Sequence, residues 1–289
     1  MSDETNTYVI DHESGAEMQR LIDQDKLLNK HMGNIFPDGI DPARLRSVLD
    51  VACGPAAWIL NVAFLHRHIQ AVGIDISQPM IDYGRAFARV QHLENAQLHV
   101  MNVLEPLEFA DNSFDFVNGR LFEFFVKEQH WSPLLQELQR VTVPGGYLRQ
   151  TELFDFETNS PACNRHMSLL WEGLKRDGRV TLTDAQGNPL GIGSKLTEMF
   201  AAAGITVIGE KIYTVDWSWG TDAHYPMIRD VIVASTLVQP YLVNTVQIIS
   251  KEEHDQLLQT LNQELYAPAF KAISHFKSVL GQKAGGAAL

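Results

Sequence analysis

Ser47-Val48-Leu49-Asp50-Val51-Ala52-Cys53-Gly54-Pro55, followed about twenty residues later by Ala71-Val72-Gly73-Ile74-Asp75, is the stretch whose reading decides the fold. Both runs are short and apolar, the pattern of strands buried on both faces. Between them, Pro55 to His66 has the length and composition of a helix. Strand, acidic glycine-bearing turn, helix and a second strand closing on an acid together make a unit that holds a nucleoside. Gly54 lets the backbone approach a ligand with no Cβ in the way. The helix after it offers unpaired N–H groups and the positive end of its dipole. Asp75 is placed to accept hydrogen bonds from both hydroxyls of a ribose, each contributing about 1.5–3 kcal/mol. Asp50 carries the charge that faces an ammonium or orders the amides of the turn. Helix capping would explain either acid alone. It does not explain two acids and a glycine together at the correct strand ends.

The register after Gly54 reads Pro55-Ala56-Ala57-Trp58-Ile59. A dinucleotide fingerprint needs two further glycines, one of them so that the backbone can approach a pyrophosphate. Ala56 and Ile59 stand in their places, and no lysine-bearing phosphate loop follows. The unit therefore suits adenosine joined to something other than a diphosphate.

Outward from this unit the order alternates. Further strands are expected at about 96–101, 114–118, 147–153 and 205–217, with a final strand at about 269–280. Helices are expected at 15–32, after Ser77, at 131–140, at 162–177 and at 195–203. Pro144-Gly145-Gly146 reads as a sharp turn, and Asp184 to Pro189 as a polar loop. Residues 222–264 read as two helices broken near Ser250. Such alternation implies an α/β fold with a mostly parallel sheet covered by helices on both faces. Its ligands sit beyond the carboxyl ends of the strands.

The 289-residue chain carries a formal charge of -12, a field that repels phosphate backbones and disfavours nucleic acid as a partner. Its two cysteines, Cys53 and Cys163, match no zinc spacing, so no metal is expected. With no secretory core at the N-terminus and no apolar run of membrane length, a reducing cytoplasmic compartment is the expectation, away from membranes.

Four motifs in order give the sequence a family likeness. Val48 to Pro55, Gly73 to Ser77 with Pro79-Met80, Leu107 to Val117 and Arg140 to Leu148 resemble the successive motifs of the class I S-adenosylmethionine-dependent methyltransferases. The likeness covers roughly residues 45–155. It implies a Rossmann-like seven-stranded sheet, with an N-terminal helical arm and a helical insertion between the last two strands. It divides the chain into an arm or lid at 1–40, a core at 41–217 and 269–283, and a cap or oligomerisation insertion at 218–268. It implies S-adenosylmethionine as cofactor, held by Tyr8, Asp50, Ala52, Gly54, Asp75, Ile76, Asn102, Val103, Gly119 and Arg120. Two positions depart from the family pattern. Ala56 replaces a usual glycine, and Asn102 replaces the usual acid directed at the adenine amino group. Arg120 has two readings, a contact to the cofactor carboxylate or a salt bridge to a nearby acid. Tyr8 either stacks over the ligand or anchors the arm.

The acceptor side carries less signal. His166 and Glu152 are the catalytic candidates, both falling near the end of the fifth strand. His12, His224 and Asp155 are alternatives. Trp217, Trp219, His224 and Tyr225 open the insertion, where aromatics suit a flat apolar acceptor or a structural cluster. The absence of Asn-Pro-Pro-Tyr and Asp-Pro-Pro-Tyr argues against methylation of nucleic-acid bases or glutamine. The expectation is methyl transfer to a small, apolar or aromatic metabolite at oxygen, nitrogen or carbon. The rivals are a NAD-dependent oxidoreductase and a non-catalytic ligand-binding protein on the same fold. The arm and the insertion are candidate surfaces for a homo-oligomer.

Overall fold

The computed structural model describes residues 8–11, 13–179, 182–183 and 189–285. His12 and most of the polar loop from Asp184 fall outside the described residues. In chain order the elements are α1 (Gly15–Met32), β1 (Ser47–Val51), α2 (Ala57–Leu65), β2 (Gln70–Asp75), α3 (Gln78–Val90), β3 (Ala96–Val100) and β4 (Phe114–Arg120). They continue with α4 (Glu128–Val141), β5 (Thr142–Thr158), α5 (Pro161–Arg176), the two-residue strands β6 (Leu182–Thr183) and β7 (Pro189–Leu190), and α6 (Leu196–Ala202). The last are β8 (Thr206–Asp216), α7 (His224–Leu237), α8 (Lys251–Leu265) and β9 (Ala272–Gln282).

The seven-stranded sheet has the order β3-β2-β1-β4-β5-β9-β8. The first five strands are parallel, and β9 runs antiparallel between β5 and β8. Alternate residues of β1 enter opposite cores. Leu49 and Val51 pack with α4 and α6 residues such as Trp131 and Phe200. Val48 packs with Trp58, Ile59 and Phe116 on the other face. The strand order reverses between β2 and β4, on either side of β1. That switch point leaves a crevice above the carboxyl end of β1.

Two local devices shape the crevice floor. The turn after β1 is left-handed at Ala52, Gly54 and Ala56, with φ of 52, 53 and 66°. For alanine that region costs about 1–2 kcal/mol per residue. At the start of α3, the Ser77 hydroxyl accepts from the Met80 N–H at 3.4 Å, and proline in the first turn costs no hydrogen bond.

Strand β5 is longer than its apolar run suggests. Its pairing with β4 ends at Arg120↔Thr151, yet it continues along β9 to Thr158↔Ala272. The strand also runs through Pro144-Gly145-Gly146, but its pairing with β4 jumps from Phe114↔Thr142 to Phe116↔Tyr147, so the expected turn, with Gly145 at φ +78°, survives as an irregularity inside the strand. The ends of β5, β9 and β8 therefore overhang the parallel sheet as an antiparallel wall. Helices α1, α5, α7 and α8 pack on that wall in a third core around Trp217 and Phe270. Helix α5 thus packs mainly on α8 in this third core, although its place after β5 suggested a helix of the parallel layer. No helix among the described residues is long and apolar enough to cross a membrane.

Candidate functional site

A cavity of about 320 Å³ runs from the β1–β2 crevice to the space beneath the overhanging wall. Nine of the expected cofactor residues line it: Tyr8, Asp50, Ala52, Gly54, Asp75, Ile76, Asn102, Val103 and Arg120. Gly119 does not. A Cβ there would come within 2.3 Å of Gln150 Oε1 and 2.5 Å of the Phe122 ring, so this glycine is required by packing between β4 and β5.

At the crevice end the acids do structural work. One oxygen of Asp75 accepts from the Gly54 N–H at 2.8 Å and the other from the Ser77 N–H at 2.9 Å. The carboxylate therefore fixes the turn that follows β1 while facing the cavity. Asp50 is buried and accepts from Asn118 Nδ2 at 2.6 Å; Asn118 Oδ1 in turn accepts from Arg149 Nε at 2.7 Å. Burial pushes the Asp50 carboxyl up to about 6, against the pull of Arg120 and the Asn118 hydrogen bond. Asn102 spends part of its carbonyl on the Leu104 N–H at 3.0 Å, keeping a second lone pair for a ligand donor.

Arg120 pairs with Asp25 of α1 at 2.5 Å and reaches Asn29 at 3.4 Å. Its positive charge is thus committed to the arm and still lines the cavity. Tyr8 is anchored: its hydroxyl donates to Glu17 at 2.7 Å. Arg20 binds the same Glu17 and crosses to Asp230 of α7 at 2.8 Å. This network, invisible in the motif pattern, ties the arm to the helical insertion over the cavity mouth.

Beneath the wall the lining changes character. Phe156, Met167, Leu170, Trp217, Met227 and Val231 are among its side chains. From α5 the contributions are Cys163, His166, Met167 and Leu170, a helical stripe at three- and four-residue steps that periodicity alone could have revealed. His166 is buried, with Nδ1 3.4 Å from Ser235 Oγ and Nε2 without a partner among the described residues. Burial, then the neighbouring His254, pushes its imidazole down to about 4, so the ring is neutral around pH 7.

Glu152 lies outside the cavity lining. It is fully buried, accepting from the Phe122 N–H at 2.7 Å and the Glu123 N–H at 3.2 Å. Glu123 lies beside it and accepts from the Ile192 N–H at 3.1 Å. Burial raises both carboxyls, Glu152 to about 7, and Glu152 pushes Glu123 further. The pair stitches the segment after β4 to β5 and the turn before α6. His224 is buried with Nδ1 3.0 Å from the Trp217 carbonyl, and the exposed Trp219 packs edge-on against it. Among the described residues no three His, Cys, Asp or Glu side chains gather as a metal site.

Comparison with known proteins agrees with this geometry. Residues 48–146 match the methyltransferase domain family. The demethylmenaquinone methyltransferase of Geobacillus stearothermophilus is 28% identical over 187 residues, 58% of this chain and 74% of that one. The Listeria welshimeri enzyme of the same name is 36% identical over 104 residues. That match covers 35% of this chain and 42% of the relative, less than half of its length. Among solved structures, the (4+2)-cyclase SpnF superposes with a TM-score of 0.50 at 16% identity, covering 95% of this chain and 97% of the cyclase. Coclaurine N-methyltransferase, solved with N-methylheliamine and SAH, gives 0.50 at 14% identity, covering 90% and 72%. At these identities the two structures share the fold with this chain.

Proposed function

The chain belongs to the class I S-adenosylmethionine-dependent methyltransferases, and on that premise we propose that it methylates a small, largely apolar or aromatic metabolite. The observation that carries this reading is the single cavity, which joins a polar nucleoside end to an apolar chamber closed by the cap. The curated relatives' names support a ring-like apolar acceptor of the quinone kind. We read residues 1–40 as the arm, 41–217 apart from α5 with 269–283 as the core, and 218–268 together with α5 as the cap.

The residues fit the cofactor. Asp75 would take the ribose hydroxyls, the Gly54 turn the methionine portion, Asn102 the adenine amino group and Val103 the ring face. Asp50 would face the ammonium, and Arg120 would lie near the carboxylate while held by Asp25. When bound, S-adenosylmethionine supplies a methyl group made electrophilic by the sulfonium. The chain has to align an acceptor lone pair with that group and exclude water, a contribution of about 7–11 kcal/mol. The chamber side chains do both. His166, neutral and with Nε2 unpartnered among the described residues, would in its Nδ1–H tautomer accept the proton of an acceptor hydroxyl.

Calorimetry with S-adenosylmethionine and S-adenosylhomocysteine tests the cofactor assignment; folded protein that binds neither would sink it. Labelled methyl transfer to a panel of phenols and hydroxynaphthoquinones tests the reaction. Because the same fold also serves a cyclase, cofactor binding without transfer to any of the panel would favour a non-methylating role. Tight binding of NAD would favour the oxidoreductase alternative.

A further inference from the structure

A groove of about 520 Å³ lies beside the chamber, behind the wall made by the far end of β5 and by α5. Leu153, Phe156 and Met167 line both spaces. All three are apolar; Leu153 is buried, and Phe156 and Met167 are half-buried. Methionine is unbranched and readily takes another rotamer. Phe156 stacks on Trp217, with ring centroids 6.1 Å apart. The β5–β9 ladder slips in register between Leu153 and Asp155, beside this wall. The groove itself differs from the chamber. Its apolar floor is Trp171, and its rim carries Thr158, Asn164 and Ser168. The charged side chains lining it, Asp155 and Glu157, are both acids.

The 320 Å³ cavity has to admit a nucleoside as well as an acceptor. The groove is the space that shares its wall, and an elongated acceptor extending past Leu153, Phe156 and Met167 enters it. We propose that the groove is the distal half of the acceptor site. The acceptor is then elongated. Its apolar reacting end lies in the chamber, and a neutral or cationic, hydrogen-bonding tail passes Phe156 and Met167 into the groove. Asp155 and Glu157 turn away an anionic tail. This inference rests on the methyl-transfer reading of the chamber.

The test uses the full chain and four probes: 4-ethylphenol, 8-(4-hydroxyphenyl)octan-1-ol, the corresponding octan-1-amine and the corresponding octanoic acid. Affinities are measured by calorimetry with and without S-adenosylhomocysteine. The alcohol and amine are expected to bind at least tenfold tighter than 4-ethylphenol and than the acid. Ser168→Trp, at an exposed position of α5 on the rim, removes that advantage and leaves 4-ethylphenol unchanged. Glu157→Gln brings the acid toward the alcohol. Absence of a length advantage in the parent chain, including absence of binding by all four probes, overturns the proposal; so does a series that Ser168→Trp leaves intact. S-adenosylhomocysteine affinity reports the folding of each variant. If that ligand binds none of them, the methyl-transfer reading falls, while the series measured without it still decides the groove.

Discussion

The two ends of the cavity are built by different means. The crevice end is one continuous piece of backbone: β1, its left-handed turn, and the acid that closes β2. Its key contacts are main-chain amides held by Asp75. The chamber end is assembled from β5, α5, α7, α8 and β9, with Trp217 just past β8, elements far apart in the chain. A site of the first kind tolerates few residue types, because carboxylate placement and φ are prescribed. A site of the second kind tolerates any set of side chains that fills the volume. The same fold can therefore hold one cofactor and serve many acceptors.

That contrast can be broken by experiment. The largest effect is expected from His166→Gln, which should slow methyl transfer to a hydroxyl acceptor by about 100-fold or more. S-adenosylhomocysteine affinity should stay within threefold. An equal loss in both would make His166 a packing residue for the whole cavity. Asp75→Ala should weaken S-adenosylhomocysteine by about 100-fold, the equivalent of two hydrogen bonds to a charged acceptor. In calorimetry of 4-ethylphenol alone the same variant should match the parent, because the chamber does not share that carboxylate.

A smaller effect separates the ends by pH. The Asp50 carboxyl sits at about 6 before a ligand's ammonium arrives. Below that value binding has to displace a proton, so affinity for S-adenosylhomocysteine should fall by up to about tenfold per unit as pH drops from 6. Asp50→Asn should bind weakly and without this slope. The neutral probe 4-ethylphenol should show none between pH 5 and 8, because His166 already stands at about 4.

The smallest expected effect lies behind the chamber. Burial raises Glu123, so the folded chain holds its proton more tightly than the unfolded one. The contribution of this group to stability is present below the ordinary carboxyl pKa and declines as pH rises toward the raised value. Glu123→Gln has no such decline. Relative to the parent, its stability in urea should improve with pH above about 4.5, by no more than about 1.4 kcal/mol per unit. A difference independent of pH would show that the folded chain ionises Glu123 as readily as the unfolded one, or that its partner Glu152 carries the titration.

The same contrast explains what was legible in the sequence. The limits of β1, the Ser77 cap and the α1 helix follow from apolar runs and capping residues, which act over a few positions. The overhang of β5 was not legible. Its far part mixes Glu152, Asp155 and Glu157 with Phe154 and Phe156, and what makes it a strand is pairing with β9, more than a hundred residues away. Arg120 allowed two readings because its partner, Asp25, lies on a different element. Gly119 read as room for a ligand because a glycine demanded by packing and one demanded by a ligand look alike in sequence. The groove behind Phe156 has no motif at all.

The pairing of Arg20 with Asp230 has a consequence for how the molecule comes into being. The two residues are separated by 210 positions. As the chain leaves the ribosome, the sheet from β1 to β5 can begin to form while α1 still lacks the helix it packs on. The mouth of the cofactor crevice then stays open until α7 has been synthesised. Long-range closures of this kind are slow steps in folding. Early-bound cofactor would therefore find the crevice accessible in a growing chain, and would stabilise the half that is already made.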